Sequence, residues 1–456
     1  MKKSLSLLIF PLISIVYVVC PQNVYARIAV RQGSTGGEFY DTATNKKFTP
    51  RGNNFLLLDS NKQIATFNVG IYNSTDAESV LSKMSQYGYN TVRVFVYAPA
   101  VGGSVGLNNG YMNNVADFLI RAKAHNIYVM PTLQGIPQVG GYLSPVDDTK
   151  FADGYNMTVL TQSGINGKEK FVKDFIQALK TRNAPLDHIL GYSLENEFSY
   201  QIDLPPFSLT KGTIVTPGGS FDMSNAAVKQ RMMDVNLVNY TTQLTNTIHS
   251  VDPGSLVAMG WYPLTADRIQ HGGSTKWIFV DPENGGSNLD FIDLHFYPLY
   301  GSVAQQIQAY QITSHKKPIV MGEFGNKNTG DIKQAATKLR DWQITSCQYN
   351  IRGWIFWGWN TAGVNQTGYF SAEESNNAIN KLLAPVFRPD PCSANTAPAA
   401  KSGDLNNDLK VDNNDYTIFL ANFGKTGDAG FSPSDIDKNG VVDIFDYNIF
   451  VGNFGK

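Results

Sequence analysis

The chain has few cysteines and few charges for its length, and each shortage excludes a class of protein. Three cysteines among 456 residues exclude a disulfide-rich scaffold. Charged residues make up only 16% and hydrophobic residues 42%, so a large core can form and global disorder is excluded. Lys+Arg (37) and Asp+Glu (38) balance, which argues against a nucleic-acid-binding protein. No glycine-rich phosphate turn follows the first predicted strand, so a nucleotide-binding open sheet gains little support.

Long hydrophobic runs are also missing, with one exception at the N-terminus. Met1 begins a positively charged start, residues 5–20 are apolar, and the sequence ending at Ala26 matches a small-residue cleavage site. This pattern predicts a secretory signal peptide over residues 1–26, and therefore a secreted or extracellular protein without a membrane span in the mature chain. Two alternatives stay open: lipoprotein processing at Cys20, which the preceding valine disfavours, and an uncleaved anchor, for which the run is short.

Two cysteines follow the predicted signal peptide, at Cys347 and Cys392. In an exported protein they can form a disulfide that ties the end of the large domain to its last helix. Sequence spacing alone does not decide whether the two thiols approach each other.

Strands and helices alternate from residue 27 to residue 390. Eight apolar segments, most of them followed by a segment with helical spacing, have the pattern of parallel strands buried on both faces. The predicted fold is therefore an α/β (β/α)8 TIM barrel, whose active site lies where the strands end. The predicted strands are residues 48–54, 90–97, 127–133, 189–197, 256–262, 291–297, 318–323 and 351–359.

A Pro/Ala/Ser-rich linker at residues 391–402 precedes a duplication with a 31-residue offset at residues 403–456. Oxygen-bearing residues alternate along a twelve-residue loop in each copy, as calcium ligands do because the ion needs six to eight oxygens. The second loop has Gly440 at the tight turn of position 6, where the first departs with Leu409. An acidic turn without metal is the alternative, which the repetition disfavours. The predicted ligands are Asp404, Asn406, Asp408, Lys410, Asp412 and Asp415, then Asp435, Asp437, Asn439, Val441, Asp443 and Asp446.

A helix is predicted after each loop, but none fits before it, so the tail differs from an ordinary EF-hand. Over residues 403–456 it resembles a dockerin module, a small α-helical domain whose paired calcium loops dock onto cohesin domains of a scaffold. The resemblance implies structural calcium and a cohesin-type partner selected through loop positions 10 and 11, which are Asn413-Asn414 and Ile444-Phe445. A calcium-stapled internal domain without such a partner is the alternative.

Two predicted barrel strands end in a glutamate: Glu197 on the fourth strand and Glu323 on the seventh. Two carboxyl groups facing each other across a barrel mouth are the minimum equipment for cutting a glycosidic bond. We expect Glu197 to be the general acid, which needs a raised pKa, and Glu323 to attack the anomeric carbon. Glu195 lies two residues earlier and competes for the acid role; its expected role is an ion pair with Arg93.

Other polar residues are predicted to support this pair. Arg93 lies on the second strand, where its charge would keep the Glu323 carboxylate ionised and its pKa low. Asn196 is expected to bind the sugar 2-OH, an interaction that matters most in the transition state. His295 and Tyr297 share one face of the sixth strand, and the phenol is expected to orient the nucleophile.

Aromatic side chains stack on the apolar faces of sugars. Trp357 on the eighth strand is predicted to form the floor of the sugar site, and Trp261 on the fifth strand is a weaker candidate for substrate binding.

Five short motifs of the barrel carry a family resemblance: Thr91-Val-Arg93, Asn196-Glu197, His295-Phe-Tyr297, Gly322-Glu323-Phe-Gly325 and Gly353-Trp-Ile-Phe-Trp357. With them the barrel resembles clan A glycoside hydrolases of the family 5 cellulase-like group. The resemblance implies a retaining hydrolase of β-linked polysaccharide or oligosaccharide such as cellulose or mannan, without a catalytic cofactor. Two features depart from many relatives: no histidine ends the third strand, and Phe198 replaces a common proline. A non-catalytic carbohydrate-binding barrel and a transglycosylase are the alternatives.

Overall fold

The structure is a computed structural model that describes residues 27–143, 150–262, 286–312, 316–326, 330–360, 369–392, 402–406, 411–427, 432–437 and 439–455. The predicted signal peptide and residues 393–401 of the predicted linker lie outside these ranges. Within them, no helix combines the length and the apolar character needed to cross a bilayer.

The strands, in chain order, are β1 (Ile28–Gly33), β2 (Gly36–Asp41), β3 (Lys47–Phe48), β4 (Arg51–Asn54), β5 (Thr91–Tyr97), β6 (Tyr128–Gln134), β7 (Tyr192–Ser193), β8 (Thr213–Thr216), β9 (Gly219–Asp222), β10 (Val257–Ala258), β11 (Gly260–Trp261), β12 (Ile292–Phe296), β13 (Ile319–Phe324) and β14 (Ile351–Phe356). The α-helices are α1 (Ser74–Gln86), α2 (Ala98–Val101), α3 (Asn109–Ala124), α4 (Tyr155–Leu160), α5 (Gln162–Thr181), α6 (Ala226–Val251), α7 (Val303–Ala309), α8 (Ile332–Ser346), α9 (Glu374–Asn377), α10 (Asn380–Leu383), α11 (Asn413–Asn422) and α12 (Ile444–Asn453).

Nine strands of the described residues form one parallel sheet in the order β10-β7-β6-β5-β4-β14-β13-β12-β11. Its two terminal strands, β10 and β11, are separated in the chain only by Met259 and pair with β7 and β12. Residues 257–261 therefore act as one interrupted strand that nearly closes the sheet. Among the described residues, helices lie between most successive strands of this sheet, and the arrangement is consistent with the predicted (β/α)8 barrel.

A three-stranded antiparallel sheet, β1-β2-β3, precedes the barrel and was not predicted. Phe39 of β2 is fully buried, and its ring centroid is 5.4 Å from that of Phe291, at the entry to β12. Phe48 belongs to this sheet, so the predicted first barrel strand begins three residues later, at Arg51. The small sheet packs apolar side chains against the end of the barrel where strands begin, and leaves the opposite end free for chemistry.

Several helices have the predicted bounds because their ends carry local signals. The helix α8 covers the predicted residues 332–346, and Asp331 caps its first turn. The long helix predicted at residues 224–250 is α6, which Asn225 caps and which ends before Pro253. A disulfide joins Cys347 and Cys392, whose Cα atoms are 5.3 Å apart, so the pairing that the sequence left open is present.

The tail contains the two helices α11 and α12, each preceded by one of the predicted loops. Asp412 and Asp443 each begin their helix with a capping box whose second member is Asp415 or Asp446. Leu405, Phe419 and Val442 form a small core between the repeats.

Candidate active site

Glu323 lies near the end of β13 with both carboxylate oxygens held. The Arg93 Nη1 donates to its Oε1 at 2.7 Å, and the Tyr297 hydroxyl donates to its Oε2 at 2.7 Å. Only 3% of Glu323 is exposed, and Arg93 is fully buried. These contacts restrain the carboxylate in one orientation at the barrel mouth.

The pKa of Glu323 does not follow the predicted direction. Burial raises the pKa of this carboxyl above its ordinary value; His295 when it is protonated, Arg93 and the Tyr297 hydrogen bond lower it, and the Glu197 charge raises it. The prediction that Arg93 keeps this pKa low is therefore wrong in its net direction. The reason is that sequence shows the cation but not the complete removal of the carboxyl group from water.

Glu197 has a more open and less charged environment than Glu323. A quarter of its side chain is exposed, and its Oε1 lies 2.9 Å from the His295 Nδ1. Burial raises the pKa of Glu197 to about 7, which Arg93 opposes and Asp293 reinforces. Because burial also lowers the pKa of His295, that imidazole is neutral at pH 7 and does not neutralise the carboxylate.

The two glutamates face each other. One oxygen of Glu197, one oxygen of Glu323 and a nitrogen of His295 all lie within 4.8 Å of one another. Retaining glycosidases place their carboxyl groups about 5–5.5 Å apart, whereas inverting enzymes need about 6.5–9.5 Å to admit a water. The nearest carboxylate oxygens of Glu197 and Glu323 are therefore closer together than the separation that inverting enzymes need.

Arg93 connects the residues around this pair. Its Nη1 also donates to Asn54 Oδ1 at 3.0 Å, and its Nη2 donates to Asn196 Oδ1 at 2.8 Å. Its Nε lies 3.8 Å from Asp293, which is fully buried. The guanidinium therefore occupies the Asn196 oxygen, so the amide nitrogen is the polar group of this side chain that remains to donate.

Sequence reasoning missed Asn54 and Asp293. A period-2 signal was available for Asp293, since it precedes His295 by two residues and Tyr297 by four on the sixth strand. Gly322 leaves the space that the Asp293 side chain occupies, because a Cβ atom at this position would lie 1.7 Å from Asp293 Oδ1. Asn54 ends β4, as active-site residues of a barrel do.

The predicted ion pair between Glu195 and Arg93 is wrong. Glu195 instead accepts hydrogen bonds from Lys168 Nζ at 2.7 Å and from the Tyr240 hydroxyl at 2.8 Å. Those partners lie on α5 and α6, so Glu195 faces the helix layer. The reason is local: β7 ends at Ser193, and Glu197 has a φ of +47°, so strand alternation does not extend through the glutamates.

The two predicted tryptophans occupy different environments. Trp357 packs edge-on against Phe95, with ring centroids 5.8 Å apart, in a cluster that includes Tyr297. It therefore lies beside the side chain that holds Glu323. Trp261 is only 1% exposed and packs against Phe198, so the prediction that it contacts substrate is wrong. Tyr369 was missed; its ring lies 5.6 Å from that of Tyr297.

A cleft of about 480 Å³ opens next to the site, past the ends of β5, β6 and β7. Its walls include Tyr97, Gln134, Tyr155 and Gln201. The Tyr155 hydroxyl donates to the backbone oxygen of Asn196 at 3.2 Å, which links this wall to the segment that carries Glu197. Phenol rings and amide side chains are groups that bind sugar rings and hydroxyls.

The second loop of the tail brings predicted metal ligands together. One carboxylate oxygen from each of Asp435, Asp437 and Asp446 lies within 4.8 Å of the others. Asp435 and Asp446 are buried, and buried carboxylates are stabilised by a cation. Gly440 has a φ of +89°, which side-chain-bearing residues rarely adopt. An all-oxygen donor set on such a turn fits calcium.

The first loop is described in part. Asp408 and Lys410 lie outside the described residues, whereas Asp404 and Asp415 are buried as their counterparts are. Asp415 Oδ1 accepts from the N–H groups of Leu405 and Asn406 at 2.7 and 2.9 Å. Asp446 makes the matching pair of bonds in the second loop, so the two repeats share one backbone geometry.

The fold and the carboxylate pair define a protein of the glycoside hydrolase class. A family model described as cellulase (glycosyl hydrolase family 5) matches residues 48–363, more than half of the chain. The chain belongs to glycosyl hydrolase family 5. Among curated proteins, no significant match was found.

Solved structures share the barrel at low identity. The endo-1,4-β-mannanase of Rhizomucor miehei gives a TM-score of 0.51 at 16% identity, over 79% of this chain and 99% of that one. The β-1,4-D-mannanase of Cryptopygus antarcticus gives 0.50 at 18% identity, over 80% and 96%. The exo-β-1,4-mannosidase of Opitutaceae bacterium strain TAV5 gives 0.50 at 16%, over 80% and 60%, so this chain spans less than two thirds of that relative. At these identities the likeness concerns the fold alone.

Proposed function

We propose that this chain is a secreted retaining glycoside hydrolase that cleaves β-linked polysaccharide or oligosaccharide by double displacement. The observation that carries the proposal is the approach of Glu197 and Glu323 within 4.8 Å in unequal environments. Glu323 is held by a guanidinium and a phenol, whereas Glu197 lies beside a neutral imidazole. When the pair shares one proton, that proton resides on Glu197, the role an acid requires.

The reaction follows from this division. Glu197 gives its proton to the glycosidic oxygen while Glu323 attacks the anomeric carbon, so the leaving sugar departs as an alcohol and a glycosyl ester forms. Glu197, now ionised, takes a proton from water, whose oxygen attacks the same carbon and releases Glu323. Two inversions at one carbon retain its configuration. The exposed quarter of Glu197 gives that water a route to the carboxylate.

Neighbouring residues bind the sugar at the point of cleavage. Because Arg93 occupies the Asn196 oxygen, the Asn196 amide nitrogen is free to donate to the sugar 2-OH, as predicted for that residue. The face of Trp357 is the proposed floor of the site. The cleft at Tyr97 and Tyr155 extends binding to further sugar units, which favours a polymer or oligomer over a monosaccharide glycoside.

The substrate class proposed is a β-1,4-linked glucan or mannan. The family is described as cellulase, and the relatives compared above are named for β-1,4-mannan linkages. Both polymers present equatorial β-1,4 bonds that the same carboxylate pair can cleave. Glucose and mannose differ in configuration at carbon 2, and initial rates on a panel of β-1,4-glucans and β-1,4-mannans distinguish the two substrates.

Product stereochemistry tests the mechanism. We expect the β-anomer to appear first when wild-type enzyme cleaves a β-1,4-linked cello- or mannooligosaccharide, with the α-anomer growing later by mutarotation. Proton NMR of the anomeric signals during the first minutes measures this order. An α-anomer that appears first would show inversion and refute double displacement.

The tail is proposed to bind calcium and to dock onto a cohesin-type scaffold domain. The clustered oxygens of Asp435, Asp437 and Asp446 support the metal site. Ile444 and Phe445, at loop positions 10 and 11, are 52% and 63% exposed, and large apolar side chains so exposed are typical of docking surfaces. Secretion is proposed from the N-terminal pattern and from the Cys347–Cys392 disulfide, which persists in oxidising compartments.

Calcium binding has a direct test in the full-length chain. After treatment with a chelator, calorimetric titration with calcium should show binding, and the Asp446→Asn variant should lose binding in the second loop because one of its three clustered carboxylates is gone. The matched control is Asp174→Asn in the barrel, whose carboxylate forms an exposed pair with Lys170. Equal calcium uptake by Asp446→Asn and wild type would exclude the proposed second site.

A further inference from the structure

Lys168 of α5 is a fully buried cation that the proposed reaction does not use. Its ammonium donates to the backbone oxygens of Leu133, Gly135 and Leu194, the last two at 2.8 and 2.9 Å, and to Glu195 Oε1 at 2.7 Å. A buried charge persists when it is paired and hydrogen-bonded, as this one is. The acceptors come from the ends of two neighbouring barrel strands.

This cluster replaces the strand ladder where the ladder stops. The register of β6 and β7 contains the pair Thr132–Ser193. Past that pair, the Lys168 ammonium donates to the backbone oxygens of Gly135, which follows β6, and of Leu194, which follows β7. The Glu195 Oε2 accepts from the Gly135 N–H at 2.8 Å. The Lys168–Glu195 ion pair therefore connects β6 to β7 at the mouth of the barrel.

The segment so held leads directly into the proposed acid. Glu197 has a φ of +47°, a conformation that side-chain-bearing residues rarely adopt and that surrounding structure must impose. On the other side, the Gly260 N–H donates to Glu195 O at 3.0 Å, and the Phe198 N–H donates to Gly260 O at 3.0 Å. The backbone around Glu197 is thus held from β6 on one side and β11 on the other.

We propose that the buried Lys168–Glu195 pair positions Glu197 for proton transfer to the leaving oxygen. The inference rests on the proposed function. Neither residue touches the reacting atoms, so both are positioning residues rather than catalytic ones. Glu323 is oriented by Arg93 and Tyr297, which the pair does not contact among the interactions described. Loss of the pair should therefore weaken protonation more than nucleophilic attack.

The experiment compares two leaving groups in the double variant Lys168→Met/Glu195→Leu, which removes both charges together and leaves no buried charge unpaired. The substrates are phenyl and 2,4-dinitrophenyl glycosides of β-cellobiose or β-mannobiose, whichever the wild type cleaves. Phenolate needs a proton to leave and dinitrophenolate does not. We expect kcat/KM on the phenyl glycoside to fall about 100-fold, the scale of a 1 Å misplacement. On the dinitrophenyl glycoside it should change much less.

A matched control lies on the same helix. Lys170 forms an exposed ion pair with Asp174 at 2.6 Å, and Lys170→Met should leave kcat/KM unchanged on both substrates. Should the double variant fail to fold, Tyr240→Phe removes one hydrogen bond to Glu195, and about a threefold selective loss is expected on the phenyl glycoside. Equal losses on both substrates would show a merely structural role and overturn the proposal.

A crystal structure of the double variant separates this inference from the proposed function. If wild type cleaves neither glycoside, the enzymatic proposal fails, but the position of Glu197 can still be measured. Displacement of its carboxylate from His295 Nδ1 by on the order of 1 Å supports positioning. A carboxylate still 2.9 Å from that nitrogen would overturn it.

Discussion

Replacing Glu323 with glutamine should reduce release of reducing sugar from β-glucans and mannans by on the order of 10⁴-fold or more, the scale of losing a nucleophile. Glutamine keeps the shape and can accept one hydrogen bond where the carboxylate accepts from Arg93 and Tyr297, but it cannot attack the anomeric carbon. The fold should survive, because the buried guanidinium keeps its partner Asn54. Initial rates with circular dichroism and thermal melting measure both properties.

Controls separate this result from general damage. Glu373→Gln removes a partly exposed carboxylate that pairs with Lys83 at 3.0 Å, and it should leave the rate unchanged. In Glu323→Ala, added azide should occupy the vacated space and yield a glycosyl azide of inverted configuration. Substantial hydrolysis by Glu323→Ala without azide would contradict the assignment. If wild type cleaves none of the panel but binds it, the carbohydrate-binding alternative gains.

The rate should fall as pH rises through about 7, because the acid must carry a proton before it donates one. Burial raises the pKa of Glu197 to about 7. Each pH unit above that value lowers the protonated fraction, and hence kcat/KM, about tenfold. On the acidic side, kcat/KM should fall as Glu323 takes up a proton, since the nucleophile must be ionised, and burial raises the pKa that sets this limb. The expected profile is a bell.

Glu197→Gln should remove the basic limb and lower the rate on substrates with poor leaving groups by about 10²–10⁴-fold, the scale of general acid catalysis. Other charged or titratable groups around Glu197 include Arg93, Asp293 and His295, and burial lowers the pKa of His295 away from that limb. A pH–rate profile of kcat/KM on an aryl glycoside measures the change. A basic limb that persists near 7 in this variant would assign it to another group. The two apparent pKa values belong to the coupled pair.

Local patterns in the sequence were enough for the architecture. Alternating apolar runs and helical spacing predicted a barrel, because parallel strands buried on both faces leave that composition. Signals at helix ends placed the bounds of α6 and α8 to within two residues, because capping and termination depend on residues that are neighbours in sequence. The N-terminal sheet was not predicted, and Trp261 was expected to contact substrate although it is buried. Both the pairing of short strands and the burial of one indole depend on residues that are distant in sequence.

The sequence by itself determined that two glutamates, Glu197 and Glu323, lie at or just past the ends of barrel strands and that acidic loops repeat in the tail. The apolar pattern of the strands and helices and the spacing of the loop ligands are periodic, and a periodic pattern can be recognised in the sequence alone. Only the tertiary structure decided that Glu197 turns toward His295 whereas Glu195 turns toward Lys168. It also decided that burial outweighs Arg93 at Glu323. Both outcomes depend on a backbone angle and on the exclusion of water, which arise only when residues far apart in the chain pack together.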